Sequence, residues 1–583
     1  MQERLESSNA GSVESSRESR HTPVLAKSLW VLASIVIGTT IVVPFYFANK
    51  SDNPKVSRIL GFIGTHDLVQ HIAVMQDFDK VLRSGVLYPR WLPDINNGYG
   101  IAWANFYPPM FFYVSSLSNS VFNDWGVTLF VLSALGFVAS GLSFYLLART
   151  FYGAFASTAG GLLYMLLPYH VINLYWQGAM PQLMGFIFLP LVVYFAFKLG
   201  SQPRARYYAG LGLVYGVYLM THFPVAYLMT YTIAFYALIW AARERDWRIA
   251  LRIALGLGIG LMLAGIYLLP AALEARFATE LYAAIFPYHS TYITLLPLSG
   301  FGNLINLSFE LQTLALVAAI VILRTFQKSA NQVDNPDSTS LAQTRFWILL
   351  AVATTFMNTS FSLYISKLIP KIEIVLFAWR WMAIASLFTT LCVAAAIDGL
   401  RARGAMSPKR RWAYSLVISI VIASSLWLTG QGVIVGALSN PAHIQPAVYS
   451  DAQYTPKGST APQNLPDTPP VVIQPEGGAS EIIRWEPNHR VVAVRLDQPS
   501  EVRIKTYNFP GWAATVDGEK VSLSSDKDGV QVVSVPPGIH KIESSFVNTL
   551  PRTAGTLLSA LGLLAVVGLA VLDRVKEARR AGR

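Results

Sequence analysis

Charge and cysteine are what this 583-residue chain has least of: 13% of its residues are charged and one is a cysteine. Soluble domains carry roughly 25% charged residues. A chain of this length with about half that share, 53% hydrophobic residues and a positive mean hydropathy of +0.42 cannot hold its whole surface in water. A soluble enzyme is therefore excluded. The single cysteine, Cys392, lies in an apolar run, which excludes an intramolecular disulfide and a cysteine-based metal centre. Nucleotide loops are absent too: there is no G-x-x-x-x-G-K-[ST] and no G-x-G-x-x-G after a soluble strand. GLGIG at 256–260 falls in an apolar run, where glycines let helices pack closely. A net charge of +12 would suit nucleic acid only if it formed a basic face on a soluble domain.

What is present is a series of long apolar runs. Residues 1–27 are polar and rich in Ser and Glu, which reads as a disordered cytoplasmic tail. From Ser28 to Ala48 the chain is apolar for about 20 residues, enough for a helix to cross roughly 30 Å of hydrocarbon. Similar runs at 125–147, 153–169, 181–197, 207–221, 223–242, 253–273, 305–323, 346–366, 374–397, 413–432 and 554–572 bring the expected total to about twelve. Threaded from a cytoplasmic N-terminus, the inside loops hold sixteen Lys and Arg and the short outside loops hold three, Arg276, Lys367 and Lys371. Short cytoplasmic loops accumulate positive charge, so both termini are expected inside a cell (plasma or inner) membrane. The +12 then records topology, because residues 437–552 carry ten basic and twelve acidic residues. No nucleic-acid partner is implied.

Two long segments are left outside. Residues 437–552 open with a Pro-, Gln- and Ser-rich linker and continue in alternating runs such as VVAVRL and EVRIKTY, with turn pairs at Asp517-Gly518 and Pro537-Gly538. That pattern predicts an extracytoplasmic β-sandwich of six to eight strands. The expected fold class is mainly α, a polytopic membrane protein with a C-terminal β-sandwich. Its domains are a transmembrane domain at 28–436, the linker and sandwich at 437–552, and a last helix with a basic tail at 553–583. In the first outside segment, 49–124, Thr65 precedes apolar residues at Leu68, Ile72, Met75, Phe78 and Leu82, and Gly85 follows. Thr65 would cap this helix and Gly85 stop it, with Asp67 in its first turn and His71 one turn on.

An acidic residue shortly after the first membrane helix, then YPPMFFYVSSLS, resembles the first external loop of GT-C glycosyltransferases, multi-spanning enzymes that use polyprenyl-phosphate sugars. HDLVQH, GVLYPRWLP, NNGYG, FYPP, FAWRW at 377–381 and NFPGWAATVDG at 508–518 resemble the bacterial YfhO-type proteins and the related family called 6-pyruvoyl-tetrahydropterin synthase-related. The soluble pterin synthase is a zinc enzyme, and its histidine cluster has no counterpart here. The resemblance implies a membrane glycosyltransferase that moves a sugar from a polyprenyl-phosphate donor to an extracytoplasmic acceptor, with membrane lipid and that donor as partners. It implies that Asp67 acts as general base on, or orients, the acceptor hydroxyl. The alternatives are a flippase for lipid-linked sugar and a non-catalytic assembly factor.

The remaining candidates come from residue chemistry. Arg380 places a guanidinium at the start of an otherwise apolar helix, where charge is costly and matches a lipid phosphate; the bland reading is a snorkelling arginine beside two tryptophans. His66 and His71 flank Asp67 as substrate contacts and leave a divalent cation open. Arg90, within YPRWLP, and Asp94, a second carboxylate or a turn residue, complete the loop's candidates. Gln177, Gln182, His222 and Glu280 sit at the outer ends of helices, either as substrate contacts or as interfacial caps. Trp512, in NFPGWAATVDG, is expected to be buried in a hairpin of the β-domain.

Overall fold

The computed structural model describes residues 24–47, 67–279, 287–293, 302–330, 338–402, 450–465 and 467–581, with 419, 423, 426 and 427. The expected span at 413–432 falls almost entirely outside these residues, as do His66 and Glu280.

Long apolar runs become helices because a backbone in lipid must satisfy its own hydrogen bonds. Among the described residues, seven helices are long and apolar enough to cross a membrane. An eighth joins them if the bent pair Arg248–Leu263 and Gly265–Phe277 is one span, and a shorter apolar helix covers Trp30–Val43. The first helix, Val24–Phe47, begins four residues earlier than Ser28. The last, Leu550–Ala581, runs on through the basic tail. Leu557, Leu561, Leu564, Val567 and Val571 lie exposed along it, an apolar stripe suited to lipid. GLGIG packs as expected: a Cβ on Gly260 would come within 2.8 Å of Tyr215 and 2.9 Å of the Gly212 carbonyl, in helix Ala205–Thr221.

The run at 253–273 is not one straight span. It breaks at Ala264 with a bend of 74°. Side chains from the last helix occupy the break: Ser559 Oγ accepts from the Ile266 N–H at 2.7 Å and donates to the Leu263 carbonyl at 2.7 Å. These are backbone groups that a continuous helix would pair internally, and a polar side chain inserted into the ladder is a recognised cause of kinking. Close approach is also required, since a Cβ on Gly555 would lie 2.5 Å from the Gly265 carbonyl oxygen.

Among the described residues, nine strands follow in the C-terminal region. They are β1 (Val471–Gln474), β2 (Gly478–Glu486), β3 (His489–Leu496), β4 (Ser500–Tyr507), β5 (Trp512–Val516), β6 (Glu519–Val521), β7 (Ser524–Ser525), β8 (Val530–Val535) and β9 (Gly538–Phe546). They pair antiparallel in two sheets, β1-β4-β8-β7 and β2-β3-β9-β5-β6. Period-2 alternation turns Val492 and Val494 of one sheet and Val502, Ile504 and Val533 of the other into one buried cluster. Asp517 and Gly518, at φ 54° and 88°, make the two-residue turn between β5 and β6.

The first loop carries this region. Trp512 is buried, and it meets Trp91 edge-to-face at 5.4 Å and Phe546 at 5.3 Å, so it joins β5 to the loop as well as packing within its own sheet. The Tyr507 N–H donates to the Tyr99 carbonyl at 2.9 Å. A second joint is polar. Glu274, at the end of the bent span, accepts from Arg552 of the last helix and from Asn105 of the first loop, while Arg552 also donates to the Pro510 carbonyl at 2.6 Å.

Candidate functional site

Asp67 stands at the N-terminus of helix Leu68–Arg83, one position before its first turn, and makes no capping hydrogen bond with its side chain. Gly85, at φ 95°, follows the helix end as the sequence predicts. Thr65, the expected cap, lies outside the described residues. The placement of Asp67 comes from a local irregularity elsewhere. The span Ala154–Gln177 ends in a π-helical turn, Asn173–Gln177, followed by Gly178 at φ 60°. Wide turns of this kind disturb the regular ladder and recur at functional sites. Here two carbonyls at its end grip the loop helix: the Asp67 N–H donates to Gln177 O at 2.9 Å, and His71 Nδ1 donates to Gly178 O at 3.1 Å.

With Nδ1 donating, His71 Nε2 accepts from the Tyr107 hydroxyl at 3.1 Å. His71 is 1% exposed, and burial holds its pKa below the ordinary value, with the Asp67 charge and the Gly178 carbonyl opposing in part. It is a neutral, fixed imidazole with both nitrogens engaged. That leaves no lone pair for a cation. Among the described residues no three His, Cys, Asp or Glu side chains come together to hold one.

Arg380 closes the 3-10 turn Ala378–Arg380 that leads into helix Trp381–Ala402. Leu376, at φ 64°, turns the chain before it, and the Ala378 N–H donates to Thr291 Oγ1 at 2.7 Å. The guanidinium is half-buried, lies 5.1 Å from the Phe377 ring centroid and donates one Nη to the Val375 carbonyl. The Asp67 carboxylate and the phenols of Tyr107, Tyr169 and Tyr454 lie within electrostatic reach of it. His222, 5% exposed between helices Ala205–Thr221 and Phe223–Glu244, lies near both Arg380 and His71. Gln182 donates to the Tyr169 hydroxyl at 2.8 Å, and Gln177 is a further partner of that hydroxyl.

The structure thus brings Asp67, His71, Gln177, Gln182, His222 and Arg380 into one neighbourhood at the helix ends. Arg90 and Asp94 are placed elsewhere. Arg90 donates to Asn105 at 3.2 Å and to the Ile266 carbonyl at 2.9 Å, which puts it in the Glu274 joint. Asp94 pairs with Lys80 at 2.5 Å and its N–H donates to Asp77 at 2.9 Å. Sequence reasoning missed the tyrosines. Tyr107 stood in the quoted FYPP motif and could have been found there, whereas Tyr169 and Tyr454 carry no local signal.

A protein-family model described as "6-pyruvoyl-tetrahydropterin synthase related domain; membrane protein" matches residues 104–431, more than half of the chain. The chain belongs to this family. The match starts just ahead of the FYPP motif and takes in Gln177, Gln182, His222 and Arg380 of this PTPS-related membrane protein, whereas Asp67 and His71 precede it. Among solved structures, it is similar to the Archaeoglobus fulgidus oligosaccharyltransferase tethered with an acceptor peptide, at 15% identity and a TM-score of 0.40 over 71% of this chain and 56% of that one. It is also similar to the arabinofuranosyltransferase AftD from Mycobacteria, at 15% identity and a TM-score of 0.43 over 70% of this chain and 27% of that one. ArnT from Cupriavidus metallidurans bound to undecaprenyl phosphate aligns at 15% identity and a TM-score of 0.28, over 64% and 77% of the two chains. The PTPS-related chain spans about half the length of the first of these and about a quarter of the second. Comparison with curated proteins finds no match.

Proposed function

We propose that this protein is a GT-C-like glycosyltransferase of the cell membrane that moves one sugar from a polyprenyl-phosphate donor to an extracytoplasmic acceptor. The observation that carries the reading is the closeness of Asp67 and Arg380, from segments more than three hundred residues apart, with the phenols of three tyrosines near the guanidinium. A carboxylate opposite a guanidinium is what transfer from a lipid phosphate requires. Arg380 balances the charge that develops on the phosphate as the C1–O bond to it breaks. Asp67 takes the proton of the acceptor hydroxyl as its oxygen bonds to C1 from the opposite face, which inverts the anomeric centre. His71 holds Tyr107 and the start of the loop helix in place. The carboxylate of Asp67, spent on no helix cap, is left for this work.

The reading extends to a twelve-span topology with both termini cytoplasmic, supported by the sixteen-to-three bias of loop charge. It also takes the two C-terminal sheets, with their shared core, as a β-sandwich over the acceptor side of the site. Membranes containing the full chain and a tagged polyprenyl-phosphate sugar test it. Transfer that is lost in Asp67→Asn at unchanged protein level is the expected result. Donor that crosses the bilayer with no transfer would assign a flippase instead, and neither event would assign an assembly factor.

A further inference from the structure

The apolar runs expected to span at 346–366 and 374–397 are not helical over their whole length. The first helix stops at Phe356 and the second starts at Trp381. Between them the chain makes only short turns: 3-10 at Ser360–Ser362, Ile372–Val375 and Ala378–Arg380, and a four-residue helix at Leu363–Ser366. Lys371 and Leu376, at φ 50° and 64°, turn it further.

This segment is tied down at several points. The Ile293 N–H donates to the Asn358 carbonyl at 3.0 Å, and the hydroxyls of Tyr292 and Ser366 lie 2.6 Å apart. The Tyr227 hydroxyl, near the start of helix Phe223–Glu244, donates to the Pro370 carbonyl. Ser362, Ser366, Ile372 and Val375 are buried. What is left outward is apolar: Phe361, Tyr364 and Leu368 are 73%, 79% and 80% exposed, and Ile365 and Ile374 are exposed beside them. Lys367 and Lys371 stand among these side chains, two cations against the one carboxylate of Glu373, and Lys367 Nζ lies 5.7 Å from the Tyr364 ring centroid.

Two physical demands meet in this segment. Irregular backbone is not tolerated against hydrocarbon, where its N–H and C=O groups lack partners. A group of large exposed apolar side chains is costly in water and marks a contact surface. The membrane–water boundary satisfies both demands, and it is where tyrosine rings settle and lysines meet lipid phosphates. The spans Phe223–Glu244 and Ala378–Arg401 fix the segment at that level, one through Pro370 and the other by following it directly.

We propose that residues 361–374 dock on the lipid leaflet on the Arg380 side of the membrane, with Phe361, Tyr364, Ile365 and Leu368 at the headgroup–acyl boundary and Lys367 and Lys371 on lipid phosphates. Arg380 donates to the Val375 carbonyl at the end of this segment, so docking holds its guanidinium at the depth of the phosphates. Docking needs a membrane and no sugar donor, so it stands or falls apart from sugar transfer.

The test uses the full chain in lipid nanodiscs. Cys392, its one cysteine, is buried, so Leu368→Cys takes a fluorescent NBD label at a single site, and the exposure of Leu368 keeps the fold intact. Lipids spin-labelled near the head of the acyl chain should quench most of this emission, and lipids labelled deep in the chain much less. A label on Ile539→Cys, at the end of β9 remote from the last helix, should be quenched by neither. Replacing phosphatidylcholine with phosphatidylglycerol should increase the shallow quenching at 368. Lys367→Gln combined with Lys371→Asn, an Asn because position 371 is left-handed, should remove that increase. Water-like emission without quenching at 368 would overturn the docking. Blue-shifted emission without quenching would assign the face to a protein contact, and stronger quenching by the deep label would put the segment inside the bilayer; either overturns the proposal. An increase that survives in the lysine variant would overturn the role of the lysines.

Discussion

Removing the Glu274 carboxylate should unfasten the joint between the bent span, the first loop, the last helix and the sheets. Glu274 is 2% exposed and Arg552 is 0% exposed. One carboxylate oxygen accepts from Arg552 Nη2 at 2.9 Å, from Arg552 Nε at 3.1 Å and from Asn105 Nδ2 at 2.7 Å, and the other accepts from Thr549. Glu274→Ala leaves the Arg552 guanidinium with the carbonyls of Pro510 and Val547 and no counter-charge. Breaking a buried ion pair from one side costs about 3–5 kcal/mol, mainly through the charge that is stranded. An unfolding entropy of about 2.1 cal/mol/K per residue over 583 residues makes the shift about 0.8 °C per kcal/mol, so the apparent melting temperature in detergent, read at one scan rate, should fall by about 2–4 °C. The double substitution Glu274→Leu with Arg552→Leu removes both charges and should recover most of the loss. A double variant no more stable than Glu274→Ala would refute the reasoning, because the cost would then lie in packing rather than in the unpaired charge.

Two further outcomes are expected. Gly100 has φ 75° and a Cβ there would lie 2.6 Å from Trp91 Nε1, so Gly100→Ala should displace Trp91 from Trp512 and Phe546. It should cost about 1–3 kcal/mol and expose the β-region to limited proteolysis; an unchanged cleavage pattern would contradict the joint. Burial first, and then the charge of Asp94, push the Asp77 carboxyl up to about 8. Asp77 therefore stays protonated in the folded chain over a range where the unfolded chain has released its proton, and stability should fall as pH rises from about 4 toward 8. Asp77→Asn should flatten that slope, as read by thermal melts across this range, whereas identical slopes would show that another group titrates.

Composition alone placed this chain in a membrane, and period-2 runs with Asp-Gly and Pro-Gly turns located the sheets. The loop helix was legible because Leu68, Ile72, Met75 and Phe78 share a face that the structure buries. Other features are set by contacts far apart in sequence and leave no local mark. The bend at Ala264 depends on Ser559, nearly three hundred residues away, and reads as an ordinary apolar run until the two meet. Arg90 looked like a site residue because it stands in a recognisable motif, yet Asn105 and Ile266 hold it in a joint. Arg380 stood out for the opposite reason: a charge at the mouth of an apolar run is conspicuous wherever its partners lie, and it closes the 3-10 turn just ahead of helix Trp381–Ala402. Tyr454 sits in a Pro- and Gln-rich linker whose composition announces only a connection between domains.

The central claim is that Asp67 acts as the base opposite Arg380, and the most direct measurement is single-turnover sugar transfer by purified full-length protein from a labelled polyprenyl-phosphate donor. Asp67→Asn keeps the backbone contact to Gln177 and the size of the side chain, so donor binding should persist while the transfer rate falls about 10²- to 10⁴-fold. Transfer by Asp67→Asn at the unmutated rate would contradict the account.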